Sequence, residues 1–168
     1  MNSSDVLNES FGRLPDLVDK AVRGLTPEQL RQAPAEGANT IAWLVWHLTR
    51  VQDGHIAELL DAEQVYTAGN WPKKFGLKAD PSDTGYGYSA AQVAAVAPES
   101  WHVLIDYYSA VHARTVAYLD DLTDDDLDQV VDEAWEPPVT LGVRLVSVYN
   151  DDTQHAGQAA YVRGLIDR

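Results

Sequence analysis

The sequence contains no cysteine among its 168 residues. That absence excludes disulfide bonds, a thiolate nucleophile and cysteine-ligated zinc, so any bound metal must be held by His, Asp or Glu. Basic residues are also scarce. The chain has 12 Lys and Arg and 26 Asp and Glu, which gives a formal net charge of -14. This acidic balance argues against binding to nucleic acid or to an anionic membrane, since both require a basic surface.

The sequence also lacks a long apolar run and a leader-like N-terminus. Its longest apolar stretch is far shorter than the roughly 20 residues that cross a bilayer. The opening residues, MNSSDVLNESF, do not show the basic-then-apolar order of a signal peptide. We therefore expect a cytoplasmic protein. With 45% hydrophobic residues, the chain is long enough to bury a core, and we expect one domain over residues 1–168.

Hydrophobic residues at helical spacing define four long segments. The first covers residues 3–24, where Pro15 predicts a kink or a separate first turn. The second runs from an N-cap at Asn39 or Thr40 to about Ala62. The third begins at 98–100, and the fourth covers 140–168. Without a convincing strand, these segments predict an all-α fold, an antiparallel four-helix bundle.

The segment 63–99 between the second and third helices is irregular and rich in Gly, Pro, Asp and aromatic residues. That composition predicts a long structured loop, and loops of this length in a compact domain are usually functional or disordered. The aromatic side chains favour a loop that packs over another part of the protein. We expect this segment to be the one long crossover of the bundle.

Histidine and carboxylate side chains on two of the helices are candidate metal ligands. Asp151 and His155 lie four residues apart on the last helix and so share a face, while Asp152 is an alternative carboxylate. The second helix supplies His47 and His55. Spacing alone leaves the ligand set open. In the alternative interpretation, the two histidines are hydrogen-bonded core residues and the Asp pair is solvated.

Two stretches, NTIAWLVWHLTRVQDGHIAEL and YNDDTQHAGQAAYVRGL, resemble the DinB-like metal-binding four-helix bundles. More narrowly, they resemble the branch containing mycothiol-dependent maleylpyruvate isomerase and the mycothiol S-transferases. The resemblance implies a divalent metal, often zinc, with nickel and manganese as alternatives. Carried over to this chain, it implies that His47, Asp151 and His155 are the ligands. Asp stands at position 151, where His or Glu is usual, and its shorter side chain requires the two helices to approach more closely.

Three protein ligands leave coordination positions open for a substrate. A metal in such a site ionises a bound thiol, and without cysteine in the chain that thiol must be a small molecule. The resemblance therefore implies a metal-dependent transferase that adds a low-molecular-weight, mycothiol-like thiol to an electrophilic small molecule. The alternatives are a metal-dependent hydrolase that uses metal-bound hydroxide and a non-catalytic metal-binding stress protein.

Further residues near these helices are candidates for supporting roles. Asp53 and His55 lie one to two turns beyond His47, where they would orient a ligand, accept a proton or serve as polar core groups. The candidates for substrate contact are Arg50, Tyr149, Gln158 and Arg163. Trp43 and Trp46 are interpreted as core or dimer contacts, and a homodimer is an expectation.

Overall fold

Four long helical segments form a bundle, as the sequence predicts. The structure is a computed structural model and describes residues 1–167; Arg168, the last residue of the predicted C-terminal helix, lies outside the described residues. The helices are α1 (Ser3–Gly12), α2 (Leu14–Val22), α3 (Pro27–Leu30), α4 (Ile41–Leu59), α5 (Val65–Ala68), α6 (Trp71–Lys74), α7 (Ala90–Ala95), α8 (Trp101–Asp120), a 3-10 helix (Asp125–Asp128) and α9 (Leu141–Ile166). The all-α prediction is confirmed.

The first predicted helix is two helices, α1 and α2, which meet at Arg13. Pro15 lies in the first turn of α2. Backbone N–H groups there have no acceptor within the helix, so the missing N–H of proline costs no hydrogen bond. The break follows because an interior proline removes a hydrogen bond of the preceding helix. Phe11 and Leu14 flank it and are both fully buried, so the kink keeps the two helices on one core.

The two helices that carry the candidate ligands begin at capping threonines. Thr40 accepts a hydrogen bond from the backbone N–H of Trp43 at 3.1 Å, and Thr140 accepts one from Val143 at 3.4 Å. α4 ends at Leu59, slightly before the predicted end, and packs along α9. Within residues 1–167, no helix combines the length and apolarity needed to cross a membrane.

A fully buried arginine on α4 anchors the crossover segment. Arg50 donates to the backbone carbonyls of Asp80, Pro81 and Asp83 at 3.1–3.3 Å, and to Gln64 Oε1 at 2.8 Å. Hydrogen bonds to a buried charge are strong, and leaving such a charge without partners is costly. Arg50 therefore bonds the loop to α4 at Gln64 and at residues 80–83.

A second buried charge on α4 fixes the start of the crossover. Asp53 accepts hydrogen bonds from the backbone N–H groups of Val65 at 2.9 Å and Tyr66 at 2.8 Å, at the N-terminus of α5. Tyr107 on α8 donates its hydroxyl to the same carboxylate at 2.8 Å. This carboxylate satisfies helix N–H groups that have no partner within α5, and so ties α4, α5 and α8 together.

A small β-hairpin that the sequence analysis did not predict precedes α9. Strands β1 (Val130–Asp132) and β2 (Val139–Thr140) pair antiparallel with an irregular register. Arg144 on α9 donates to Asp132 at 2.9 Å, which joins the hairpin to the last helix. The strands were missed because they are three and two residues long, too short to show alternation.

Candidate metal site

Three side chains from two helices converge near the middle of the bundle. His47 lies on α4, and Asp151 and His155 lie one turn apart on α9. One ligand atom from each residue lies within 4.8 Å of the others. His47 is buried, Asp151 and His155 are half-buried, and His47 and Asp151 line a cavity. The packing of α4 on α9 therefore produces a group of side chains that is able to hold a metal ion.

Both imidazoles are held by hydrogen bonds at Nδ1. His47 Nδ1 bonds the backbone carbonyl of Thr84, and His155 Nδ1 bonds Gln158 Oε1 at 2.9 Å. Because both partners are acceptors, each ring donates from Nδ1, and the neutral form of each ring has its lone pair on Nε2. This is the arrangement of metal-binding histidines, in which the second ring nitrogen is fixed by an outer partner.

Trp43 forms an aromatic wall beside the two imidazoles. Its ring stacks on His47 at 4.5 Å with an interplanar angle of 8°, and it meets His155 edge-on at 5.8 Å. The two imidazoles lie 4.8 Å apart, nearly perpendicular. Trp43 is a buried core residue, as expected, and it also packs against the site, where it restricts the orientation of both rings.

The electrostatics of the cluster suit a cation. Burial lowers the pKa of His47, which favours its neutral, lone-pair form. The neighbouring Asp151, whose Oδ1 lies 3.5 Å from His155 Nε2, raises the pKa of His155. Asp151 Oδ2 is buried without a hydrogen-bond partner among residues 1–167. A bound divalent cation would satisfy that oxygen.

The neighbouring carboxylate, Asp152, has a different environment. It is fully buried, and neither of its oxygens has a hydrogen-bond partner in the described part of the chain. Burial, and then the charge of Asp151, raise the pKa of Asp152 well above its ordinary value. It is not part of the group formed by the two imidazoles and Asp151. The geometry thus places Asp151, and not Asp152, beside the histidines.

Paired substitutions separate the two carboxylates. Loss of a group that only supports a metal ligand weakens metal binding by up to about 100-fold. Because Asp151 would itself be a ligand, we expect Asp151→Asn to weaken zinc binding by at least that factor. Asp152→Asn is expected to change zinc affinity less than about threefold, because an amide of the same shape keeps the packing. Isothermal titration of the metal-free variants measures both affinities. A larger loss in Asp152→Asn than in Asp151→Asn would overturn the placement.

A cavity of about 520 Å³ opens beside the cluster. Such a volume lies in the range of small-molecule binding sites. Its lining comes from α4, the crossover and α9: His47, Val51, Gly54, His55, Glu58, Gln64, Thr84, Tyr86 and Asp151. Tyr86, at the tip of the crossover, is 91% exposed. A ligand in this cavity would therefore contact the histidine cluster and the exposed tyrosine ring.

The structure distributes the remaining sequence candidates among several roles. Gln158 bonds His155, and His55 lines the cavity, whereas Arg50 and Asp53 bond the crossover. Tyr149 packs on Phe11 with ring centroids 5.6 Å apart, and Arg163 donates to the carbonyls of Lys20 and Arg23 at the end of α2. These contacts bring Gln158 and His55 to the site; the other four side chains are not among those that line the cavity.

Two groups that support the site were not predicted from the sequence. Thr84 contributes a backbone carbonyl, for which side-chain chemistry gives no signal. Arg144 contacts His55 across 89 positions of sequence, a contact that spacing cannot predict. The contact between Gln158 and His155 could be predicted from the sequence, since residues three apart on a helix are neighbours.

The donor set fits a divalent metal. Two imidazole nitrogens and one carboxylate oxygen are the ligands of several catalytic zinc sites, which keep a further position open. Atoms bound to one zinc at about 2.0–2.1 Å lie about 3.3 Å apart at the tetrahedral angle. The present separations, 4.8 Å at most, therefore close with small side-chain rotations.

Comparison with known proteins gives the family and a similar fold. The family model described as mycothiol-S-transferase matches residues 6–168. A solved structure, described as a conserved protein of a locus from Enterococcus faecalis, superposes with a TM-score of 0.90 at 30% sequence identity, over 99% of this chain and 98% of that one. No curated protein gives a significant match. On the extent of the family match, this chain belongs to the mycothiol S-transferase family.

Proposed function

We propose that this protein is a metal-dependent transferase that joins a low-molecular-weight thiol, of the mycothiol type, to an electrophilic small molecule. One observation carries the proposal: two imidazoles that are held at Nδ1 lie within 4.8 Å of a carboxylate that has an unpartnered oxygen, beside a cavity. Because the chain has no cysteine, the reacting sulfur has to come from a small molecule. The family match supports the thiol as that molecule.

His47, Asp151 and His155 would hold the metal. Bound there, a divalent ion supplies Lewis acidity that lowers the pKa of a coordinating thiol and favours its thiolate. The protein holds the rings in place through Thr84 and Gln158 and shields one side of the site with Trp43. The neighbouring cavity would hold the electrophile close to the sulfur, which converts a bimolecular encounter into a reaction between positioned groups.

We propose zinc as the native metal and the cytoplasm as the place of reaction. Two histidines with one carboxylate form a known catalytic zinc donor set. Cytosolic thiols are kept reduced, so a small-molecule thiol substrate persists there. Elemental analysis of protein purified without chelator tests the metal, with about one zinc per chain expected and another dominant metal contradicting it.

A thiol requirement is the direct test of the reaction. Metal-loaded protein is incubated with mycothiol and a panel of electrophiles, and conjugates are measured by mass spectrometry. We expect conjugates that form only with protein, metal and thiol together. If product forms without thiol and carries the oxygen of water, the hydrolase interpretation is correct instead. If no electrophile reacts and metal still binds, the non-catalytic interpretation is correct.

Gly54 offers a test of cavity binding that does not disturb the ligands. A methyl group built at this helical glycine lies 3.6 Å from Gln64 Nε2, an ordinary contact. Gly54→Ala is therefore expected to stabilise the protein by about 0.5–1 kcal/mol through helix propensity. The same methyl narrows the cavity, so we expect KM for the electrophile to rise several-fold at constant metal content. Thermal unfolding and steady-state kinetics measure the two effects; a rise in stability with unchanged KM would contradict binding in this cavity.

A further inference from the structure

His55 lies in the cavity beside the metal cluster without belonging to it. It follows His47 by eight residues on α4, which places the two side chains about 80° apart around the helix. Its side chain is 38% exposed and lines the cavity together with His47 and Asp151. The ring is thus accessible to a molecule bound next to the metal ligands.

Arg144 sets the tautomer of His55. Its Nη1 lies 2.9 Å from His55 Nδ1. A guanidinium has only donors and stays protonated, so Nδ1 must accept the bond with its lone pair. The ring proton is therefore on Nε2. This is the reverse of His47 and His155, whose Nδ1 atoms bond acceptors. Of the two imidazoles that line the cavity, neutral His47 offers a lone pair on Nε2, and His55 offers an N–H donor.

The position of Arg144 is itself fixed. Its guanidinium donates to Glu58 at 3.0 Å and to Asp132 on the hairpin at 2.9 Å, and its side chain is only 10% exposed. Burial, and then the positive charge of Arg144, lower the pKa of His55, against the opposing effect of Glu58. A proton on Nδ1 would break the bond and place two cations together. The neutral ring with its proton on Nε2 is the form that these contacts favour.

We propose that His55 is a substrate-binding residue that donates a hydrogen bond from Nε2 to an oxygen of the electrophile. Arg144 is its positioning residue. The inference rests on the proposed thiol transfer and specifies its second substrate: an electrophile whose reacting carbon is activated by an oxygen, as in an α,β-unsaturated carbonyl compound or an epoxide. A neutral imidazole is suited to this task, because its N–H donates a hydrogen bond that polarises the oxygen without adding a positive charge to the site.

The chemistry is balanced without any redox partner. The thiol loses its proton to solvent, and its sulfur forms a bond to the β-carbon of the unsaturated carbonyl compound. The electron pair of the carbon–carbon double bond shifts, so that negative charge develops on the carbonyl oxygen. A proton from solvent then reaches the α-carbon. With an epoxide, attack of the sulfur on carbon breaks a carbon–oxygen bond, and a proton from solvent neutralises the alkoxide. The donor from His55 would act where that charge develops, and the loss of one such donor typically slows a reaction about 10²–10³-fold.

Two electrophiles and two substitutions test the role. For His55→Leu, kcat/KM is expected to fall about 100-fold with the unsaturated carbonyl compound, the lower end for one donor to a developing oxyanion. With an alkyl halide, which develops no oxyanion, it is expected to change less than about threefold, because a halide leaving group gains little from this single donor. His55→Gln, whose side-chain amide restores an N–H donor, is expected to recover part of the loss. Val51→Ala, in the same cavity, is the control and should affect both electrophiles alike.

The outcomes separate this inference from the proposed function. Equal loss with both electrophiles in His55→Leu, or no loss, overturns the role of His55 while leaving thiol transfer intact. No conjugate with any electrophile in the wild type contradicts the transferase function itself. A third readout is independent of turnover: nitrogen NMR of the histidine rings should find the His55 proton on Nε2. A proton on Nδ1 would overturn the inference.

Discussion

Replacing His155 with alanine is expected to lower zinc affinity at least about 10³-fold and to abolish metal-dependent thiol transfer. Loss of an outer partner of a ligand typically costs about 10–100-fold in affinity, so loss of a ligand should exceed that range. The remaining nitrogen and carboxylate donors would leave the ion with mostly solvent ligands. Zinc titration against a competing chelator measures the affinity, and conjugate formation measures the activity.

His47→Ala is expected to behave in the same way, although the two residues come from different helices. A matched control is His102→Ala, because His102 lies on α8 and is exposed. This control should retain full zinc content and activity. That result would show that the loss of a histidine outside the site does not affect metal binding. If His47→Ala and His155→Ala both bind one zinc per chain with unchanged affinity, the assignment of these ligands is wrong.

Gly85→Ala is expected to destabilise the protein by about 3 kcal/mol. Gly85 has φ +85°, a left-handed conformation that costs an alanine about 1–2 kcal/mol. An added Cβ would also lie 2.6 Å from Trp46 Cζ3 and 2.8 Å from Trp43 Nε1, and overpacking of this kind costs about 1–3 kcal/mol. In a domain of this size the sum corresponds to a fall in Tm of about 6–12 °C.

The effect should reach the metal site, because the neighbouring residue holds a ligand. Thr84 accepts the hydrogen bond of His47, and Trp43 stacks on that imidazole. Displacing the loop would release His47 and is expected to weaken zinc binding about 10–100-fold, as loss of an outer partner does. Calorimetric unfolding and zinc titration on the same variant test both parts.

Gly87→Ala is the matched control for this loop. Gly87 also has a positive φ, +73°, but an added Cβ would have no heavy atom within 4 Å in the structure. The control should therefore lose only the conformational contribution, about 1–2 kcal/mol, and retain its zinc affinity. Equal losses of stability and affinity in the two variants would show that contact between the loop and the tryptophans does not support the site.

The long helices could be predicted because their signals are local. Thr40 and Thr140 are strong N-caps, and Pro15 indicates a break wherever a helix passes through it. The crossover could not be predicted in the same way. Its path depends on bonds from Arg50 to carbonyls at 80–83 and from Asp53 to the start of α5, and a backbone carbonyl has no sequence signature.

The candidate site was only partly accessible from sequence. Helical spacing places Asp151 and His155 on one face of the last helix. It cannot say whether Asp151 or Asp152 faces α4, because both lie close to the side of that helix on which its hydrophobic residues recur. That choice depends on how α9 is rotated in the bundle, which is decided by packing. The tautomer of His55 could not be predicted from the sequence, because it depends on the contact with Arg144, whose guanidinium is held by Asp132 of the hairpin.

The most direct test of the account is to load the metal-free protein with cobalt(II) and add mycothiol in increments. A sulfur-to-cobalt bond produces an intense near-ultraviolet charge-transfer band. Because the chain contains no cysteine, thiolate sulfur on the metal can come only from the added thiol. We predict a band that grows to saturation at one thiol per cobalt and is absent in His47→Ala. A cobalt spectrum that thiol leaves unchanged would contradict the claim that this site activates a thiol.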